Sequence, residues 1–165
     1  MKARLLIPIL VLPILILLSA CNGKSKAQRI GKENSTEIMS KSIISSPDAP
    51  AAIGPYSQAV LAGNTLYCSG QIAINPQTGQ LDTGNIQTET ERVMSNIGAV
   101  LKAANMDYGH VVKATIFMND MEDYGAINEV YAKYFKVDPP AREAVAVKTL
   151  PKNVNVEISV IAVKF

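Results

Sequence analysis

The chain has 165 residues, 48% of them apolar and 5% aromatic, which suits one domain with a buried core. Sixteen Lys and Arg against fourteen Asp and Glu leave a net charge of +2, but Lys2 and Arg4 both fall in an N-terminal segment that reads as an export signal. The rest balances at 14 against 14, which excludes a protein held to nucleic acid by a basic surplus.

The export reading rests on Leu5 to Leu18, almost wholly apolar, followed by Leu18-Ser19-Ala20-Cys21. That tetrapeptide has the form of a lipobox, with small residues for a peptidase groove and Cys21 as the lipidated residue. A membrane-spanning helix fits less well, because the run falls short of the ~20 residues a span needs. Pro8 and Pro13 also interrupt it. Asn22 to Ser42 is polar, mixed in charge and without an apolar period. It reads as a flexible tether, about 25 Å from end to end. The expected organisation is a signal over 1–20, a lipidated Cys and tether over 21–42, and a folded unit over 43–165. The expected location is the cell envelope, on the periplasmic side of a membrane. Asn22 lacks the aspartate linked to inner-membrane retention, which favours the outer membrane.

In the folded unit, Tyr56 to Leu61 and Thr65 to Ile74 read as two strands joined across Gly63-Asn64, a hairpin dipeptide. Asn75 to Gly79 is a loop. Thr83 to Asn85 supplies helix-cap chemistry, and Ile86, Val93, Ile97, Val100, Leu101 and Ala104 recur at helical spacing. Val111 to Met118 reads as a strand. Met121 to Phe135 reads as a second helix, ended by Pro139-Pro140 after a short loop. Two strands close the chain, Arg142 to Val147 and Val154 to Val163. The order β-β-α-β-α-β-β predicts an α+β domain with helices on one face of a mixed sheet. The other face needs cover, which points to an oligomer. Cys68 is a lone thiol in an apolar strand and reads as a small buried hydrophobe.

The closing strands each carry a charge where the pattern is apolar. Arg142 follows Pro140-Ala141, and Glu157 comes fifteen residues later. A guanidinium and a carboxylate are costly to bury unpaired, so the two breaks of pattern suggest one polar site. Taken singly, each residue has a plainer reading as an exposed strand residue. His110 is the sole histidine and reads as a loop residue. No His/Cys cluster has metal-ligand spacing, and no glycine-rich phosphate loop is visible in the sequence.

Gly54-Pro55-Tyr56-Ser57-Gln58-Ala59 and Ser69-Gly70-Gln71 resemble signature segments of the Rid family (RidA/YjgF), the reactive intermediate deaminases. The resemblance continues through Val111 to Thr115, Val130-Tyr131, Tyr134-Phe135, Pro140-Ala141-Arg142, Leu150-Pro151-Lys152 and Val156-Glu157-Ile158. It implies a chorismate-mutase-like fold, a homotrimer with clefts between subunits, and hydrolysis of enamines and imines such as 2-aminoacrylate to 2-keto acids and ammonia. It implies that Arg142 grips the substrate carboxylate, that Glu157 serves the hydrolytic water, and that Tyr56, Ser69, Gly70 and Asn128 line the cleft. The implied partners are a small imino or enamino acid, further copies of the chain and, through Cys21, a membrane. No cofactor, metal or nucleic acid is implied by that chemistry. Some details depart from the family pattern: Glu143 follows Arg142, Pro139 stands where Phe is frequent, Ala144 replaces a cysteine of some members, and the familiar members are soluble intracellular proteins. The competing readings are a non-catalytic lipoprotein that binds small carboxylates and, from the same resemblance, an endoribonuclease or translation inhibitor.

Overall fold

The computed structural model describes residues 40–165. The expected signal, Cys21 and nearly all of the tether lie outside the described residues. No helix among the described residues is long and apolar enough to cross a membrane.

The strands are β1 (Lys41–Ile44), β2 (Ala59–Ala62), β3 (Thr65–Cys68), β4 (Val111–Met118), β5 (Ala141–Ala146) and β6 (Val156–Val163). The helices are α1 (Ile86–Ala103) between β3 and β4, and α2 (Tyr124–Tyr131) between β4 and β5. The sheet runs β1-β2-β3-β6-β4-β5. Only β4 and β5 pair in parallel, so the sheet is mixed, as predicted. Parallel strands need a crossover, and α2 provides it.

Alternation places the core. On β6, Val156, Ile158, Val160 and Ala162 are buried, and on β4 so are Ala114, Ile116 and Met118. Against them pack Val93, Met94, Ile97, Val100 and Leu101 of α1 and Ile127 and Tyr131 of α2. Each such large side chain, once buried, contributes roughly 1.5–3 kcal/mol. Both helices therefore cover one face. The other face presents Tyr67, Thr115, Phe117, Val145, Ser159 and Ile161, half-buried or exposed.

Helix α1 begins where its cap chemistry predicts. Asn85 is extended, and its side chain accepts the Thr88 N–H at 2.8 Å. Asn85→Ala should lower stability by about 1 kcal/mol, read by urea denaturation. The Gly63-Asn64 hairpin also forms, with Ala62 opposite Thr65 and Gly63 at φ 59°.

Four boundaries differ from the sequence reading. The extra strand β1 begins at Lys41, inside the segment read as tether, and pairs with β2. It is short and mostly exposed, held by backbone bonds at the sheet edge, so no apolar alternation announces it. Strand β2 starts at Ala59, leaving Tyr56 in a bend before it. Strand β3 ends at Cys68, and the chain turns at Ser69-Gly70 before Gln71 bridges to Ile158. The second helix is shorter than 121–135. A 3₁₀ turn at Met121–Asp123, capped by the Asp120 side chain on the Glu122 N–H, precedes α2. After Tyr131, Lys133 and Tyr134 donate to carbonyls three residues back, a tightened last turn that ends the helix.

Candidate active site

Two polar clusters flank the sheet, one on each face. The first lies on the face without helices. Tyr56, Ser69, Gly70 and Glu157, with Ile53, Ile72 and Pro151, line a cleft of about 340 Å³. The Tyr56 hydroxyl accepts the Ile53 N–H at 3.2 Å, which folds the loop ahead of β2 over the cleft. Ser69 Oγ donates to the Ser57 carbonyl at 2.7 Å, and Ser69 N–H donates to the Gln58 carbonyl at 3.0 Å. Gln58 is buried and donates through Nε2 to the carbonyls of Ser46, Ala49 and Pro50. Buried amide bonds thus fix the loop beneath the cleft wall.

Glu157 occupies this cleft because Gly70 leaves room. Reciprocal backbone bonds between Gln71 and Ile158 hold the two segments in register. A Cβ on residue 70 would lie 1.7 Å from Glu157 Oε1, closer than any van der Waals contact permits. Among the described residues, no cation lies within ion-pair distance of the Glu157 carboxylate. Burial raises its pKa above the ordinary glutamate range. A carboxyl so placed can take and return a proton. Gly70→Ala should displace it and cut turnover by about tenfold, read by steady-state kinetics.

The second cluster surrounds Arg142 on the helix face. Arg142 Nη1 donates to Asn128 Oδ1 at 2.7 Å, and Nη2 donates to the Tyr124 hydroxyl at 3.1 Å. The guanidinium carbon lies 4.9 Å from the centre of the Tyr131 ring. Two hydrogen bonds and an aromatic face hold the planar fork, whose remaining N–H groups are available to a carboxylate. The Asn128 hydrogen bond, and then the Arg142 charge, lower the Tyr124 phenol below its usual range. Asn128 is a predicted site residue; Tyr124 and Tyr131 fall in the segment read as a second helix and are additions to the predicted set. The signal for them was present, since residues 124, 128 and 131 share one face of a helix.

Within one chain these clusters do not meet. Arg142 pairs with Ala114 and Glu157 with Phe117, three residues along β4. An odd offset puts the two side chains on opposite faces. Their strands are not neighbours either, since β4 runs between β5 and β6. Within one chain, then, the two breaks of pattern belong to separate clusters on opposite faces of the sheet rather than to one polar site. Glu143 lies opposite Arg142, as alternation requires. Its carboxylate is 3.1 Å from Lys113 Nζ and accepts from Thr115 Oγ1 at 3.0 Å. These contacts, with the Lys113 bond first, hold its pKa below the ordinary range. Cys68 is buried, and desolvation pushes its thiol up to about 12. His110 sits in a 3₁₀ turn with Nδ1 2.8 Å from Asp107 Oδ1, away from both clusters.

The family model for endoribonuclease L-PSP matches residues 46–164, which spans both clusters. The chain belongs to this family. Its members include proteins described as Rid, such as a structure from Yersinia pestis at 47% identity. A goat (Capra hircus) 2-iminobutanoate/2-iminopropanoate deaminase is 51% identical over 122 residues, covering 74% of this chain and 89% of the relative. The human deaminase of the same name is 46% identical over 122 residues, covering 74% and 89%. Among solved structures, E. coli TdcF with bound serine has a TM-score of 0.73 at 39% identity, covering 75% of this chain and 99% of that one. The product of E. coli yjgF superposes with a TM-score of 0.72 at 38% identity, covering 75% and 99%. The α+β architecture read from the sequence is therefore that of the Rid fold.

Proposed function

We propose that the protein hydrolyses reactive imines and enamines of small amino acids, releasing a 2-keto acid and ammonia. The observation that carries this reading is the Glu157 carboxylate, with no counter-ion among the described residues and half-buried against Gly70, its pKa raised by desolvation. Relatives at 46–51% identity that bear the name 2-iminobutanoate/2-iminopropanoate deaminase support the same chemistry. Serine bound to the related TdcF supports a small amino-carboxylate ligand.

In this reading Arg142 binds the substrate carboxylate through parallel N–H bonds, while Asn128 and Tyr124 keep the guanidinium in plane. The C=N carbon is then held at a set distance from the cleft wall. Glu157 takes a proton from water as its oxygen adds to that carbon, and gives a proton to nitrogen as the C–N bond breaks. One water is consumed, C=N becomes C=O, and ammonia leaves.

The two halves belong to different subunits in this proposal. The Arg142 half of one copy closes over the Glu157 cleft of another, and the bare sheet face, with Tyr67 and Val145 exposed, is the surface the copies bury. A homotrimer with three such clefts satisfies both charges. The apolar leader and Cys21 add lipid anchoring to the proposal, and palmitate labelling followed by fractionation tests it.

The activity test generates 2-aminoacrylate with a pyridoxal-phosphate lyase and follows its decay with and without the purified protein. The subunit test mixes Arg142→Ala and Glu157→Gln proteins, each strongly impaired alone, through unfolding and co-refolding. Regained activity is expected, because a hybrid contains clefts with an intact arginine and an intact glutamate. Failure to regain any would mean that each site is built from one chain. An endoribonuclease, the activity in the family's title, draws no support from charge: residues 40–165 carry ten Lys and Arg against twelve Asp and Glu.

A further inference from the structure

Among the polar side chains that helix α1 buries, two lie seven residues apart on one face and have no part in the chemistry above. Glu89 and Asn96 are both fully buried. Glu89 Oε1 accepts the N–H groups of Asn155, at 2.6 Å, and Val156, at 3.3 Å, and Oε2 accepts Asn155 Nδ2 at 2.9 Å. Those residues lie immediately before Glu157. Asn96 Nδ2 donates to the carbonyls of Ile72, at 3.0 Å, and Ile74, at 2.9 Å. Ile72 lines the same cleft as Glu157.

The segment entering β6 has reason to need a clamp. Lys152 and Asn153 have φ of 56° and 55°, the left-handed region that non-glycine residues seldom occupy. The strand begins at Val156, with Val154 and Asn155 between. Asn119 N–H donates to the Asn155 carbonyl at 2.9 Å, so β4 and α1 grip the same peptide from two sides. Side chains that hold a reacting group through backbone bonds set its position to within fractions of an ångström.

We infer that Glu89 is a positioning residue for Glu157: its carboxylate fixes the start of β6 and thereby holds the Glu157 side chain against Gly70 in the cleft. The inference rests on the proposed role of Glu157, but its first readout does not require activity. In Glu89→Leu the N–H groups of Asn155 and Val156 lose their acceptor, the strand start loosens, and water reaches Glu157. In Glu89→Gln one carbonyl still accepts both backbone N–H groups, and the Asn155 amide turns over to meet the new NH₂.

The experiment follows the Glu157 carboxyl by NMR in the full protein, assigning it by its loss in Glu157→Gln, and measures imine hydrolysis in parallel. Glu89→Leu is expected to move the Glu157 titration down toward the ordinary glutamate range. It should lower kcat by about tenfold or more and leave KM within about twofold. Glu89→Gln is expected to restore both. Asn155→Ala, which removes only the side-chain bond, should shift the titration in the same direction by less, and it serves if Glu89→Leu does not fold. An unchanged Glu157 titration in folded Glu89→Leu, or in Asn155→Ala when that is the only folded variant, overturns the inference. If the wild-type protein hydrolyses no imine, the proposed function fails, and the titration still decides whether Glu89 positions Glu157.

Discussion

Arg142→Ala is expected to lower kcat/KM for 2-aminoacrylate-type substrates by about 10²–10³-fold, equivalent to about 3–4 kcal/mol of lost transition-state binding. The reason lies in how the guanidinium is held. Asn128 and Tyr124 take one N–H bond from each terminal nitrogen, and Tyr131 supports the plane from below. The anchor is rigid before substrate arrives, so little entropy is spent in forming the carboxylate pair. Arg142→Lys keeps the charge but cannot span Asn128 and Tyr124 together, and it should recover only a small part of the activity. Much of the loss should appear in KM, because the substrate carboxylate is bound in ground state and transition state alike. Thermal melts should change little, since Arg142 sits on the edge strand and its hydrogen-bond partner Tyr124 is exposed. Steady-state kinetics on the lyase-coupled assay checks the prediction. A variant that decays the imine as fast as wild type would remove arginine from the site.

Glu157→Gln is expected to reduce kcat by about 10²–10³-fold, the usual worth of a positioned acid–base group, with KM nearly unchanged. The same variant should melt higher than wild type at neutral pH. Burial raises the Glu157 pKa, so the folded protein holds its proton at pH values where the unfolded chain has released it. The unfolded state then binds fewer protons, and stability falls as pH rises from the ordinary glutamate range through the raised value. Above that value the cost is fully present, and Gln removes it. The activity of wild type should move the opposite way, rising with pH through the same window as the base becomes available. Paired melts and pH–rate profiles of wild type and Glu157→Gln test both signs. A site that gains stability when its catalyst is removed is the expected trade between function and folding.

Much of this architecture could be read from local pattern. The α1 cap at Asn85, the 3.6-residue period behind it, the eight-residue strand β4 and the two-residue hairpin at Gly63-Asn64 all recur in the structure with little change. The resemblance pointed to Tyr56, Ser69, Gly70 and Glu157, which the structure gathers around one cleft, and to Arg142 and Asn128, which it joins by a hydrogen bond on the other face; it did not point to Tyr124. Other features left no local trace. Strand β1 has no apolar stripe, because an edge strand of four residues can be held by its backbone alone. Glu89 reads as one more polar residue on an amphipathic helix. Its burial follows from two N–H groups at the start of β6, 66 and 67 residues away, that need an acceptor.

The sequence by itself determined which elements form, because caps, turns and hydrophobic periods act within a few residues of one another. It also placed Arg142 and Glu143 on opposite sides of their strand, a consequence of the two-residue period. Only the tertiary structure decided that Arg142 and Glu157 face away from each other. That outcome depends on β4 entering the sheet between β6 and β5, a pairing between segments some forty residues apart that no local period encodes. The same pairing puts the Arg142 and Glu157 clusters on opposite faces of one chain, and among the described residues neither charge has an ion-pair partner.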